Sequence, residues 1–225
     1  MDFSALLDPA SAAIVLGGTV VATAAGSGRR ELHASLGALG SLLRRPFEYE
    51  RARAEIARDV EAIRRDGLVR ATGLHSTDRE IASVSDALIH DRSLASLVDA
   101  HTRFRHERSA ARTLALRPVL LAAEMAPVFG MAGTLVSLSQ MDMGAAAGGG
   151  MLGGIAMAVL TTLYGLMLAH LVFNPLARLV ARRGEAEEDQ RQHLIDWLAR
   201  QLATACPPPS NSGQRPGPPR LERVV

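Results

Sequence analysis

Residues 124–178 read EMAPVFGMAGTLVSLSQMDMGAAAGGGMLGGIAMAVLTTLYGLMLAHLVFNPLAR, and the near absence of charge within them decides the fold class. No Asp, Glu, Lys or Arg stands between Glu124 and Asp142, and none stands between Asp142 and Arg178. A helix of a water-soluble protein needs a charged outer face, which neither half of this stretch supplies. About twenty apolar residues suffice to cross a bilayer core. The stretch therefore predicts two membrane-spanning helices, 118–141 and 155–177, joined by a short external glycine-rich loop over 142–154.

Composition supports the same class. Hydrophobic residues make up 48% of the 225 residues but aromatics only 4%, so the apolar content is mainly Ala, Leu, Val and Gly. Small residues of this kind let helix backbones approach closely in lipid. The chain has no lysine, and its arginines lie in segments flanking the apolar spans. That distribution reads as positive-inside topology rather than as a nucleic-acid footprint, because no aromatic-and-basic platform accompanies it. The single Cys206 excludes an internal disulfide framework and a multi-cysteine metal site.

Working outward, residues 9–28 (PASAAIVLGGTVVATAAGSG) are uncharged, are preceded by Asp2 and Asp8, and end at Arg29 and Arg30. A signal peptide places positive charge before its apolar core, so this is a retained first span with residues 1–8 outside. Gly18, Ala22 and Ala25 recur at helical spacing and predict a close-packing face. Residues 29–117 are charged and predict a helical cytoplasmic segment. Ile56, Val60 and Ile63 mark one helix in it, with breaks at Pro46 and at Gly67 and Gly73. A further helical piece is expected over about 78–115. Residues 178–206 form a cytoplasmic amphipathic helix carrying Leu194, Trp197, Leu198 and Leu202, with Arg178, Arg182 and Arg183 at its start. The tail 207–225, rich in proline, lacks the apolar content to fold. The expected fold is an all-α integral membrane protein with three transmembrane helices, N-terminus out and C-terminus in.

Some residues in the spans exceed what crossing a bilayer demands. Gly154, Ala158, Thr162, Gly165 and Ala169 form one small-residue stripe on the third span. Gly130, Thr134, Ser137 and Met141 form a similar, partly polar stripe on the second. Pro127 and Pro175 each remove a backbone hydrogen bond, at the inner ends of the two helices, which is where hinges would sit. Glu124 is the only acid in the spans, and ionisable groups at membrane depth are functional candidates by default. It lies near the boundary, where it could instead reach the headgroups or pair with Arg117. His170 reads as a hydrogen-bonded packing residue. The histidines at 75, 90, 101 and 106 have no metal-ligand spacing, and the glycine runs lack the Lys-Ser/Thr of a phosphate loop. No nucleophile–base pair or HExxH motif is present, so the chain is not expected to be an enzyme.

At APVFGMAGTLVSLSQM (126–141) and AVLTTLYGLMLAHLVFNPLA (158–177) the sequence resembles the MotA/TolQ/ExbB proton-channel family, most of all its MotA (flagellar stator) branch. DPASAAIVLGGTVVAT (8–23) is similar to the second membrane helix of that branch, and IRRDGLVRA (63–71) to its cytoplasmic Arg-x-x-Gly segment. The resemblance implies that Pro127 and Pro175 couple ion flow to conformational change. It implies that Thr162 lines the ion route, with Thr134 facing it and Glu124 where some members carry an acid, and that Arg64 touches a cytoplasmic rotor protein. It further implies a pentamer in the bacterial inner membrane around a MotB/ExbD/TolR-like single-span partner. That partner's membrane Asp would carry the proton, with H+ or Na+ as the transported ion and no cofactor.

Two departures from the MotA pattern shape the expectation. The leading membrane helix of the four-span MotA arrangement has no counterpart before residue 9, leaving a three-span layout like that of TolQ and ExbB. Thr72 stands where an acid would complete the rotor-facing charge pair with Arg64. The expected function is a MotA-like subunit of an ion-driven motor such as the flagellar stator. The alternatives are a TolQ/ExbB-like energiser of an envelope process and a non-conducting scaffold of the same fold.

Overall fold

A computed structural model describes residues 8–43, 47–66, 76, 78–91, 93–139 and 149–203, with residues 66 and 149–152 described by backbone alone. Cys206, Thr72, Gly67, Gly73, Pro46, residues 1–7, residues 142–148 of the glycine-rich loop and the tail 207–225 lie outside the described residues. All regular secondary structure among the described residues is helical, without strands. Its elements are α1 (Pro9–Gly26), α2 (Arg29–Ser41), α3 (Tyr49–Asp66), α4 (Arg79–Asp91), α5 (Leu94–Ser139) and α6 (Gly149–Met167). A π-helical turn (Leu168–Phe173) then leads into α7 (Asn174–Leu202).

Among the described residues, three helical stretches are long and apolar enough to cross a membrane: Pro9–Gly26, Leu94–Ser139 and Gly153–Leu202. Only 22%, 33% and 17% of their apolar windows are buried within the chain, so most of that surface is left for lipid or other subunits. The second and third stretches outrun the membrane boundaries expected at 118 and 177. With both of its prolines, α5 is one 46-residue helix, and α7 follows the π turn without a break. Helix also begins at Gly149 rather than 155. Charge marks where a helix leaves lipid. It does not end the helix, because the backbone hydrogen bonds continue equally well in water.

The chain divides into two compact units, Met1–Phe47 with His106–Asp189, and Glu48–Arg105 with Gln190–Val225. In the first, Asp8 caps α1 by accepting hydrogen bonds from the backbone N–H of Ala10 and Ser11. That role suits a short carboxylate just before a Pro at N1. The buried face of α1 is Ser11, Val15, Thr19 and Thr23, at a step of four. The sequence expectation centred this face on Gly18, Ala22 and Ala25. Ala25 is exposed, while Gly18 remains close-packed under the ring of Phe129, which a Cβ there would meet. Hydroxyls can occupy the buried face because they bond to their own helix, as Thr19 does to the Val15 carbonyl at 2.7 Å. On the polar side, Arg108 of α5 makes a two-pronged contact with Glu188 of α7, both bonds at 2.9 Å. Arg112 donates to the Gly184 carbonyl at 2.6 Å, and Arg183 donates to the Leu42 carbonyl.

The second unit has an aliphatic core of Ile56, Val60, Ile63, Ile81, Val84, Leu88, Leu97, Leu194, Ile195, Leu198 and Leu202, all buried. Among them are the periodic positions read from α3 and, from the C-terminal helix, Leu194, Leu198 and Leu202, while Trp197 is only half-buried. Beside this core lies a buried polar cluster. His101 is 3% exposed, with Nδ1 at 3.1 Å from Glu80 Oε1 and Nε2 at 3.1 Å from Gln192 Oε1. Arg191 reaches Glu80 at 2.8 Å and Asp78 at 2.9 Å. Mutual pairing is what makes these charges tolerable inside the fold. Arg53 stacks over the Trp197 ring at 5.2 Å, a cation–π contact that covers the indole face.

Candidate functional site

The site is built where α5 crosses α6. Glycines on both helices allow the backbones to meet. A Cβ on Gly165 would stand 2.6 Å from the Ala126 carbonyl oxygen, 3.1 Å from Gly130 Cα and 3.2 Å from Pro127 Cα. A Cβ on Gly130 would stand 3.0 Å from the Thr161 carbonyl oxygen. The buried seam is Ala126, Gly130, Gly133 and Ser137 on α5 against Thr161, Gly165 and Ala169 on α6 and the π turn. Thr161 is wholly buried, and a Cβ on Gly133 would meet its side chain at 2.8 Å. Thr161 was missed in reading the sequence, because the stripe was drawn through its neighbour Thr162. The step of four from 161 to 165 to 169 is the signal that would have found it.

With Thr161 taking the seam, Thr162 is rotated to its edge. Thr134 and Thr162 then line one open groove of about 480 Å³, with Leu138, Ile155, Ala158, Val159, Leu163 and Leu166. The two hydroxyls expected to face each other are thus brought to a common surface. Thr134 Oγ1 donates to the Met131 carbonyl at 2.6 Å, and Thr162 Oγ1 to the Ala158 carbonyl at 3.3 Å. A hydroxyl that spends its proton on its own helix keeps its acceptor lone pairs. Such a groove offers oxygens to a cation or to a proton-bearing group while its other walls stay apolar.

Glu124 is exposed on α5, in a stripe of Leu120, Glu124, Val128, Met131, Leu135 and Leu138 that is otherwise apolar. Arg117, a partner considered for it, instead pairs with Glu31 at 3.1 Å. The Glu31 carboxyl also accepts from the Gly28 N–H at 3.1 Å. That bond first, and Arg117 second, hold its pKa below the ordinary value. Asp8 is likewise held below its usual range, chiefly by the Ser11 hydroxyl and then the Ser11 N–H.

Of the two prolines, Pro175 adjoins a departure from α geometry and Pro127 lies within unbroken α-helix. Pro127 is inside α5, as is Pro118, which was expected to open the second span rather than interrupt a longer helix. Pro175 is the second residue of α7. Its missing N–H leaves the Leu171 carbonyl without the usual i+4 donor. The preceding turn is π-helical, and the Asn174 N–H bonds to the Ala169 carbonyl, five residues back. His170 lies in this turn, 3.5 Å from the Asn174 side-chain amide. Arg64 is in the other unit, at the end of α3, and donates to Glu61 at 3.2 Å and Gln201 at 3.4 Å. Among the described residues no group of three or more His, Cys, Asp or Glu side chains could hold a metal.

Comparison with known proteins places this geometry in context. The model of the MotA/TolQ/ExbB proton channel family matches residues 82–193, which contain the α5–α6 crossing, the π turn and Pro175. The uncharacterized protein YtxD of Bacillus subtilis (strain 168) is 36% identical over 112 residues, 49% of this chain and 37% of its own length. The chemotaxis protein PomA of Vibrio alginolyticus is 40% identical over 79 residues, 33% of this chain and 30% of its own. The chain thus spans about a third of the length of these curated relatives. Among solved structures, the flagellar MotAB stator complex from Bacillus subtilis matches with a TM-score of 0.78 at 19% identity. The match covers 89% of this chain and 81% of that one. The C. jejuni MotAB structure matches at 0.77 and 14% identity, covering 90% and 80%. At these identities the structural matches establish a MotA-like fold. The matched family model describes proton channels and the Bacillus subtilis structure is a flagellar stator complex; neither is an enzyme.

Proposed function

We propose, from the premise that residues 82–193 belong to the MotA/TolQ/ExbB proton channel family, that this chain is the channel-forming subunit of an ion-driven stator complex. The observation that carries the reading is the groove beside the α5–α6 crossing, where Thr134 and Thr162 present hydroxyls on an otherwise apolar wall. Neither hydroxyl titrates near neutral pH, so a channel here needs a carboxylate from elsewhere. A single-span partner of MotB type with a membrane Asp would supply it, and H+ or Na+ would pass between the Asp and the threonines. The exposed apolar faces of α1, α5 and α6 suit assembly of several copies, a pentamer by resemblance, around that partner. The arginines after α1 and at the start of α7 favour an N-out, C-in orientation in a bacterial inner membrane.

In this reading Pro127 and Pro175 absorb the bend when the partner's Asp changes charge. The π turn before Pro175 supports that role, since its backbone already departs from the α register. Glu124 would bring ions to the groove from the inner side, and Arg64, exposed at the end of α3, would meet the driven component. The test is to express the chain with a single-span partner bearing a membrane Asp and to measure ion flux and the driven motion. Thr162→Val is expected to lower flux. Pro175→Ala is expected to uncouple flux from motion. If both variants leave flux and motion intact at normal membrane abundance, the proposal is wrong.

A further inference from the structure

A second groove, away from the Thr134/Thr162 surface, lies in the first unit where α1, α2, α5 and the π turn meet. It encloses about 290 Å³, and its lining includes Thr23, Leu32, Ser35, Leu36, Ala122 and Phe173. Its walls are mostly apolar, with one exception that the fold does not resolve. Thr23 is 9% exposed, yet its Oγ1 has no hydrogen-bond partner. Its neighbour one turn earlier, Thr19, satisfies itself on the Val15 carbonyl at 2.7 Å. A hydroxyl buried without a hydrogen bond is unfavourable and calls for a partner from outside the chain. Beyond Thr23 the helix continues only to Gly26, about 4.5 Å further along its axis. Arg29 and Arg30 follow, both exposed and without a side-chain ion pair or hydrogen bond to any described residue. Their neighbour Arg117 is by contrast taken up by Glu31 at 3.1 Å.

We infer that this groove binds one anionic phospholipid. An acyl chain fills the slot between Val20, Ala122 and Phe173, the Thr23 hydroxyl donates to an ester carbonyl, and Arg29 and Arg30 hold the phosphate. Along α1 and into α2 the order is Val20, then Thr23, then Arg29 and Arg30, which follows the order of groups in a glycerophospholipid: hydrocarbon, then ester, then phosphate. Arginines near a membrane attract anionic headgroups in general. The buried hydroxyl and the slot turn that diffuse attraction into a site. A zwitterionic lipid would satisfy Thr23 and offers the same phosphate, but its headgroup cation competes with the two arginines for that anion.

The full-length chain, purified in detergent and stripped of lipid, would be titrated with dioleoyl phosphatidylglycerol, dioleoyl phosphatidylcholine and an ether-linked phosphatidylglycerol, and bound lipid counted by native mass spectrometry. Phosphatidylglycerol is expected to be preferred over phosphatidylcholine by on the order of tenfold. Arg29→Gln with Arg30→Gln should abolish that preference while helix content by circular dichroism stays unchanged. Thr23→Val should weaken the ester lipid to the level of the ether lipid and leave the ether lipid unaffected. The inference fails if the headgroup preference is absent or survives the double arginine change. It fails equally if glycerol 3-phosphate displaces the lipid in full, or if Leu36→Cys cross-links to a second copy seated in the groove.

Discussion

The α5–α6 crossing gives the sharpest test of the architecture, through Gly165→Ala. The added methyl would stand 2.6 Å from the Ala126 carbonyl oxygen, against about 3.3–3.6 Å for an ordinary carbon–oxygen contact. The neighbouring atoms it meets are backbone, Gly130 Cα at 3.1 Å and Pro127 Cα at 3.2 Å, so no side chain can swing aside. The helices must separate by roughly 0.7 Å or more, and a gap of that size already forfeits a quarter to a half of each dispersion contact along the seam. Overpacking of this kind costs about 1–3 kcal/mol, against a gain of about 1 kcal/mol from replacing a mid-helix Gly by Ala. Gly17→Ala is the matched control, since its Cβ meets nothing within 4 Å and only the gain should appear. The assay is unfolding of the full chain in mixed micelles with increasing dodecyl sulfate, followed by circular dichroism. The midpoint for Gly165→Ala should fall below wild type and that for Gly17→Ala at or above it. A midpoint for Gly165→Ala equal to that of Gly17→Ala would refute the close crossing and the groove derived from it.

Three further outcomes follow from individual contacts. The Arg108–Glu188 pair, with side chains 24% and 12% exposed, lies between a surface pair and a buried one. A double-mutant cycle with alanine at both positions should therefore return a coupling of about 1–3 kcal/mol, and a value near zero would remove it as a clamp between α5 and α7. Glu31 is held below its ordinary value of 4.5, so its contribution is present above that pH and is lost as pH falls through the lower folded value. Protection factors at the start of α2, corrected for the intrinsic pH dependence of exchange, should fall on acidification past that point, and Glu31→Gln should remove the acid dependence; an identical acid response in the variant would contradict the assignment. Asp8→Ala removes the α1 cap and should cost about 1 kcal/mol. Faster exchange of the Ala10 and Ser11 amides is the readout, and Asp8→Asn should largely restore protection.

The chain's own sequence determined a great deal. Charge-free runs of twenty residues have few physical solutions other than membrane helices, so the three spans and the all-α class were legible from residues 9–28 and 124–178 alone. The periodic leucines and isoleucines of α3 and α7 were legible because a helix buries whatever recurs every three or four positions. Proline and threonine stood out in the spans because neither is needed for hydrophobicity. The ends of the helices were less legible, since the change from lipid to water at Pro118 and Pro175 alters the side chains and not the backbone hydrogen bonding.

Tertiary structure decided which of two adjacent threonines does what. Thr161 and Thr162 differ by one residue, and either could have led a small-residue stripe with Gly165 and Ala169. The choice depends on how α6 rotates against Gly130 and Gly133, and that rotation is set by contacts between residues some thirty positions apart. The same holds for Thr19 and Thr23, alike in sequence, of which only one finds a partner within the chain. A one-dimensional pattern fixes which residues share a face. The angle at which two faces meet is set by the closest approach of backbones, and here that approach is through glycine.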